Sequence, residues 1–274
     1  MAVDGTATLE HRELERLAAR IRLAAVRMVS PHGFGYLGQA LSSAEIFAVL
    51  FGRGHVRPGH DRFVLSPGHY AIALYAVAAE LGLVPEDELG SYGADGALLE
   101  AIATERTPLV DLTCGSLGQG LSGAAGLALA DRLAGRERRT VAFLSDGELQ
   151  EGQVWEAAMF AAHHHLDALT VVVDANGSQC DGPVRSVTTI EPVAARWSAF
   201  NWTCFEVDGH DVGALAGALD DGARAPGPAV VVARTEIFGR LTSLPDAADG
   251  HFVKLSDTLE DSVTAELEEA VARA

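Results

Sequence analysis

The chain has 274 residues, of which 48% are hydrophobic and 21% charged, and its formal net charge at pH 7 is −18. This composition is typical of a globular protein that can bury a full core, and it excludes a disordered chain. The negative charge argues against nucleic acid or an anionic membrane surface as a partner. Because there is no secretory signal pattern and no apolar run of about 20 residues, we expect a cytoplasmic protein.

In the first half of the chain, hydrophobic spacing and turn residues predict mainly helices. The predicted elements, in chain order, are a helix over 9–29, a glycine-rich turn over 31–38, a second helix capped near Ser42 or Ser43, a strand over 62–66, a helix over 68–81, an irregular stretch to 113 and a helix over 117–134. The segment GQGLSG at 118–123 matches a dinucleotide-binding pattern. No strand precedes it, so we interpret its glycines as helix-packing residues.

The second half of the chain alternates strands with helices. The predicted elements are a strand over 140–145, a helix over 150–165, a strand over 168–174, a helix over 190–200, a strand over 202–207, a helix over 212–223, a strand over 228–234 and a last helix from about 257. Its strands are almost continuously apolar, which indicates a parallel sheet covered on both faces. We therefore predict a single α/β domain over 1–274, with a doubly wound, mostly parallel sheet and helices on both faces.

Two oxygen-bearing side chains follow neighbouring predicted strands. Asp146 comes directly after TVAFLS, and Asn176 follows LTVVVDA. One β-α-β unit separates them, so a right-handed crossover places both at the same edge of the sheet, where α/β proteins bind ligands. Each segment alone is consistent with an ordinary turn. Together, a carboxylate, a carboxamide oxygen and a nearby backbone carbonyl predict a site for Mg²⁺, which completes its shell with phosphate and water oxygens.

Four segments then resemble one family. Residues 145–183, SDGELQEGQVWEAAMFAAHHHLDALTVVVDANGSQCDGP, resemble the thiamine diphosphate motif of transketolases, which begins GDG and closes about thirty residues later with an asparagine. DLTCGSLGQGLSGAAGLALA, DRFVLSPGH and FEVDGHD are similar to further transketolase segments. The resemblance covers roughly residues 15–255 in order. It implies the fold of the diphosphate-binding domain and a transferase that uses thiamine diphosphate together with Mg²⁺ or another divalent cation.

The resemblance also implies roles for individual residues. Asp146 and Asn176 would bind the metal through their side chains, and Ser178 through its carbonyl oxygen. His69 would reach the cofactor or the reacting carbonyl, and His251, in the segment ADGHF, would face the active-site channel. Residues near the cofactor would be Gly115, Ser116, Leu117, Ser145, Gly147 and Glu148, together with Asp146, Asn176 and His69. Ser145 stands where the family usually has glycine, and we expect its hydroxyl to alter rather than abolish cofactor binding.

The substrate side departs from the family. Residues 31–46, PHGFGYLGQALSSAEI, align with a segment that typically reads GSGHPGGSLSAADI, so Tyr36 replaces a histidine and Leu37 a proline. The family's HPE segment has no counterpart in EAIATERTPLVDLTCGS. A phenol can only form hydrogen bonds near neutral pH, whereas an imidazole can also carry charge. We therefore expect atypical substrates; an ordinary sugar-phosphate enzyme, with Arg106 or another basic group replacing the lost contacts, is the alternative.

In the family, the cofactor is activated by a glutamate on a second, pyrimidine-binding domain. That domain would follow this one, but the 274 residues are taken up by the predicted diphosphate-binding domain. The resemblance therefore implies a separate partner chain that carries the pyrimidine domain and its glutamate, most simply in an α₂β₂ complex. The other interpretation is a non-catalytic scaffold or regulatory paralogue. The metal-ligand pattern argues against it, since a scaffold does not need metal ligands.

Overall fold

The computed structural model describes residues 8–245 and 250–274, so part of the ADGHF segment lies outside the described residues. The helices are α1 (His11–Val29), α2 (Leu37–Gly52), α3 (Ala71–Glu80), α4 (Gln119–Leu133), α5 (Gly152–His163), α6 (Val184–Val187), α7 (Val193–Ala199), α8 (Val212–Gly222) and α9 (Asp257–Arg273). The strands are β1 (Phe34–Gly35), β2 (Arg62–Leu65), β3 (Thr140–Ser145), β4 (Leu169–Ala175), β5 (Ser178–Gln179), β6 (Gly182–Pro183), β7 (Thr203–Asp208), β8 (Ala229–Arg234) and β9 (Val253–Lys254). Within the described ranges, none of these helices combines the length and apolarity needed to cross a bilayer.

The central sheet is parallel, as predicted. In the described part of the chain its strand order is β2-β3-β4-β8-β7. Thr140 of β3 pairs with Leu169 of β4 at one end of these strands, and Ser145 pairs with Asp174 at the other. Because all five strands run in the same direction, their carboxyl ends lie at one edge of the sheet. The segments that follow β2, β3, β4 and β8 therefore meet at this edge.

Helices cover both faces of the sheet. Alternate residues of a strand point to opposite faces, so each strand contributes to two separate apolar cores. In β3, Val141 and Phe143 pack with residues of α1, α2, α3 and α8, whereas Ala142 and Leu144 pack with residues of α4, α5 and α7. All four side chains are buried. This arrangement confirms the predicted doubly wound α/β fold.

The second helix begins earlier than predicted. It starts at Leu37, and Tyr36 occupies the position before its first turn. The predicted cap at Ser42 or Ser43 is wrong, because both residues lie inside the helix and are fully buried. Ser43 donates its hydroxyl to the carbonyl of Gln39 at 2.6 Å, a bond that serine can form within a helix. The glycine-rich turn therefore places Tyr36 directly before the first residue of α2.

Two short antiparallel ribbons lie beside the main sheet, and neither was predicted. In one, β1 pairs with β9, and in the other β5 pairs with β6. Each strand has two residues, which is too short for hydrophobic alternation to reveal. In the first ribbon, β1 ends directly before Tyr36 and β9 begins two residues after His251; in the second, β5 begins two residues after Asn176.

The glycines of GQGLSG serve close packing. Gly118 precedes α4 with a positive φ of 84°. A Cβ atom on Gly120 would lie 2.4 Å from Ser66, and one on Gly123 would lie 2.1 Å from Leu112. These contacts support the helix-packing interpretation of this segment.

Candidate functional site

The loops that follow β3 and β4 are joined by a buried carboxylate. Asp146 is 4% exposed, and it accepts hydrogen bonds from the backbone N–H of Gly147 at 2.8 Å and of Gly177 at 2.7 Å. Gly177 comes directly after Asn176 and has a positive φ of 75°. The structure thus brings together the two segments that the sequence spacing placed at one edge.

The side-chain amide of Asn176 is held in one orientation. Its Nδ2 donates to the carboxylate of Asp174 at 2.9 Å and to the hydroxyl of Tyr70 at 3.1 Å. Its Oδ1 accepts the backbone N–H of Ser178 at 2.9 Å. Because a carboxylate accepts hydrogen bonds and a backbone N–H donates them, the carboxamide oxygen must lie on the side of Ser178. The carboxamide oxygen of Asn176 thus lies beside the backbone of Ser178, the residue whose carbonyl oxygen is the third predicted metal ligand.

Asp174 is a site residue that the sequence analysis missed. It is fully buried, and its carboxylate also accepts the hydroxyl groups of Ser42 at 2.6 Å, of Tyr70 at 2.9 Å and of Thr235. Burial raises the pKa of Asp174, although these hydrogen bonds oppose the change. A charged residue within the apolar run LTVVVDA was the available signal, because a buried charge requires partners.

The electrostatics of this edge favour a cation. Burial, and secondly the charge of Asp174, raises the pKa of Asp146 to about 7. In the described ranges, no group of three or more His, Cys, Asp and Glu side chains is placed to hold a metal. A cation bound by Asp146 and Asn176 would complete its coordination with carbonyl, phosphate or water oxygens, the ligands that Mg²⁺ prefers. The residues present thus fit a Mg²⁺-linked diphosphate.

Glu148 anchors the loop that precedes α4. Its carboxylate is fully buried and accepts the backbone N–H of Gly118 at 2.6 Å as well as the hydroxyl of Ser66. Burial raises the pKa of Glu148 to about 7. The backbone N–H of Glu148 in turn donates to the Ser145 hydroxyl at 3.3 Å. Residues 115–117, which this anchor supports, are exposed or half-buried, and their contact with a cofactor stays a prediction.

The three residues predicted for the substrate side form one cluster. The ring of Tyr36 lies 5.4 Å from that of His69 and 5.5 Å from that of His251, and the two imidazoles are 5.2 Å apart, between centroids. Burial, and secondly the charge of His251, lowers the pKa of His69 to about 3, so this imidazole is neutral near pH 7. The next residue, Tyr70, connects this cluster to Asn176.

Gln39 is a second residue that the sequence analysis missed. Its side-chain nitrogen lies 2.7 Å from Nδ1 of His251, and the glutamine is 1% exposed. The aligned family segment has glycine at this position, so a longer side chain here was visible in the sequence. Its contact with His251 depends on the fold, because 212 positions separate the two residues.

The fold and the oxygen donors at its carboxyl edge define a class of α/β protein that binds a cation-linked diphosphate. Residues 14–263 match the family described as the thiamine diphosphate binding domain of transketolase. The chain therefore belongs to the transketolase family, and its domain is one that binds thiamine diphosphate.

Similar proteins agree with this assignment. The chain is 40% identical over 252 residues to a transketolase family protein of Sinorhizobium fredii, with 88% of this chain and 90% of that protein covered. It is 34% identical over 265 residues to the 6-deoxy-6-sulfo-D-fructose transketolase subunit of a Clostridium species, with 93% and 96% covered. In fold it matches the transketolase of Campylobacter jejuni, with a TM-score of 0.85 at 22% identity. That match covers 97% of this chain but only 46% of the other, so the chain spans less than half of that protein.

Proposed function

We propose that this chain is the diphosphate-binding subunit of a two-component, transketolase-like transferase. The partner is a separate chain that carries the pyrimidine domain and its activating glutamate, and the simplest assembly is α₂β₂. This proposal is supported by the Clostridium relative, which is named as a transketolase subunit and is matched over 96% of its length. The enzyme transfers a two-carbon ketol or an acyl-type unit between carbonyl compounds.

In this proposal, Asp146 and Asn176 hold Mg²⁺ through their side chains, and Ser178 holds it through its carbonyl oxygen. Gly147 has no side chain and so leaves room for the diphosphate. The observation that carries the proposal is the buried carboxylate of Asp146, with its pKa raised by burial and by Asp174. Two adjacent buried carboxylates destabilise a metal-free chain, whereas a bound cation compensates for them. A scaffold protein gains nothing from this arrangement.

When bound, thiamine diphosphate supplies a nucleophilic carbon that breaks and forms bonds beside a carbonyl group. The residues of this chain position the reactants. His69 is neutral near pH 7, so it can donate one hydrogen bond to a carbonyl or hydroxyl oxygen without adding charge. The ring of Tyr36 contacts both His69 and His251, and its hydroxyl can likewise form hydrogen bonds without adding charge.

The substrates in this proposal are atypical for a transketolase. Tyr36 replaces a histidine, and the stretch that corresponds to the HPE segment contains none. Arg106, a candidate for replacing the lost contacts, is exposed and forms an ion pair with Glu100 at 2.9 Å. Among the described residues, the substrate side therefore presents few groups that could bind a sugar phosphate. The Clostridium relative, by its name, also acts on an unusual sugar.

The proposal is tested on the complex obtained by co-expression with the product of an adjacent gene. Calorimetric titration with thiamine diphosphate and Mg²⁺ should show binding of the cofactor that depends on the metal. With xylulose 5-phosphate and ribose 5-phosphate, we expect transfer well below the rates usual in central metabolism. No cofactor binding by the complex would identify a scaffold, and fast sugar-phosphate turnover would contradict the atypical substrates.

A further inference from the structure

An uninterrupted row of aromatic rings runs from the surface to the histidine cluster. Phe34 is 50% exposed, and its ring centroid lies 5.1 Å from that of Phe252. The ring of Phe252 meets Tyr36 edge-on at 5.4 Å, and Tyr36 in turn contacts His69 and His251. These separations are those of interacting aromatic pairs. We call Phe34, Phe252 and Tyr36 the aromatic row.

The β1–β9 ribbon positions the outer part of this row. Gly33 has a positive φ of 69° and turns the chain into β1. Phe34 then pairs with Lys254, and Gly35 with Val253, in antiparallel register. This register places β1, which belongs to the glycine-rich turn, beside β9, which begins two residues after His251. The aromatic row thus combines Phe34 and Tyr36 of the glycine-rich turn with Phe252, the residue after His251.

The chemistry of the row differs from that of a sugar-phosphate channel. A phosphorylated sugar needs cations and many hydrogen-bond donors, whereas the row offers apolar ring faces and one phenol hydroxyl. The aligned family segment has serine where Phe34 stands and histidine where Tyr36 stands. Lys254, which pairs with Phe34, is the one cation in this ribbon. Phe34 is half-exposed and is joined through ring contacts to the histidine cluster, which indicates a site for an apolar ligand.

Building on the function proposed above, we propose that the aromatic row is a substrate subsite for an acceptor aldehyde with an aromatic or alkyl group and no phosphate. The apolar group stacks on Phe34 and Phe252, and the aldehyde carbon reaches the space beside His69 and His251. With hydroxypyruvate as donor, its C1–C2 bond breaks and releases CO₂. A new carbon–carbon bond forms to the aldehyde carbon, and the aldehyde oxygen takes up a proton.

The test compares acceptors in the reconstituted complex, with hydroxypyruvate as donor and phenylacetaldehyde, glyceraldehyde 3-phosphate and glycolaldehyde as acceptors. We expect kcat/KM for phenylacetaldehyde to exceed that for glyceraldehyde 3-phosphate by about tenfold or more, equivalent to about 1.4 kcal/mol. Phe34→Ser should raise KM for phenylacetaldehyde about tenfold and change kcat/KM for glycolaldehyde less than about twofold. Phe160→Ser, which removes another exposed phenylalanine on α5, is the matched control and should change neither value.

Several results would overturn the subsite. A preference for glyceraldehyde 3-phosphate that Lys254→Gln removes would show an anion site instead. An equal loss with all three acceptors in Phe34→Ser would indicate a general effect on the fold. Dissociation of the complex by Phe34→Ser, seen by size-exclusion chromatography, would assign Phe34 to the subunit interface. Absence of transfer to glycolaldehyde in the wild-type complex would refute the proposed function itself, and the subsite with it.

Discussion

The hydroxyl of Ser42 offers a sensitive test of how the site is held. It donates to the buried carboxylate of Asp174 at 2.6 Å, and it lies 3.3 Å from Nδ2 of Asn176. Ser42→Ala removes this donor without changing charge. A hydrogen bond to a charged group contributes about 1.5–3 kcal/mol, and loss of a residue behind a metal ligand typically costs about 10–100-fold in metal affinity. We expect the Mg²⁺-dependent affinity for thiamine diphosphate to fall by about 10–100-fold.

The neighbouring Ser43 provides the control. It is also fully buried in α2, but its hydroxyl donates only within the helix, to Gln39 at 2.6 Å. Calorimetric titration of both variants in the complex, together with thermal unfolding, separates the site from general stability. Ser43→Ala should bind the cofactor like the wild type. If both variants lose affinity equally, or if Ser42→Ala binds normally, the role given to the Asp174 network is incorrect.

Further predictions concern the metal, the substrate and pH. Asp146→Ala should abolish Mg²⁺-dependent cofactor binding while the circular dichroism spectrum stays unchanged; retained affinity with the same metal dependence would count against the ligand assignment. Tyr36→His should raise the low activity on sugar phosphates, and an unchanged or lower rate would disprove the importance of this replacement. Burial lowers the pKa of His55 to about 4. When the pH falls from about 6.5 to 4, the imidazole of His55 is therefore protonated in the unfolded chain but stays neutral in the folded chain. The free energy of unfolding should therefore fall by about 3 kcal/mol across this range, in urea titrations, and His55→Leu should remove that part of the dependence.

The fold was largely predictable because its strands and helices carry strong local patterns. β3, β4 and β8 are continuous apolar runs, and the spacing of Asp146 and Asn176 across one β-α-β unit placed them at the same edge. The start of α2 was not predictable from capping preference, since the serine hydroxyls found partners inside the domain. Strands of two residues, such as β1 and β9, are too short to show hydrophobic alternation.

The site was predictable only in part, because its supporting contacts are distant in sequence. Asp174 and Ser42 are 132 positions apart, and no local pattern connects them. The cluster of Tyr36, His69 and His251 likewise joins three separate segments. The family resemblance named these residues individually, but the aromatic row and the contact between Gln39 and His251 depend on the three-dimensional structure.

Turnover of the purified chain with and without its partner decides whether this chain is one half of a two-component transferase. Ketol transfer is measured with hydroxypyruvate and glycolaldehyde, in the presence of thiamine diphosphate and Mg²⁺, while the partner is titrated in. We expect no transfer by the chain alone and a rate that rises to a plateau at a one-to-one ratio of subunits. Full turnover by the single chain would contradict this expectation.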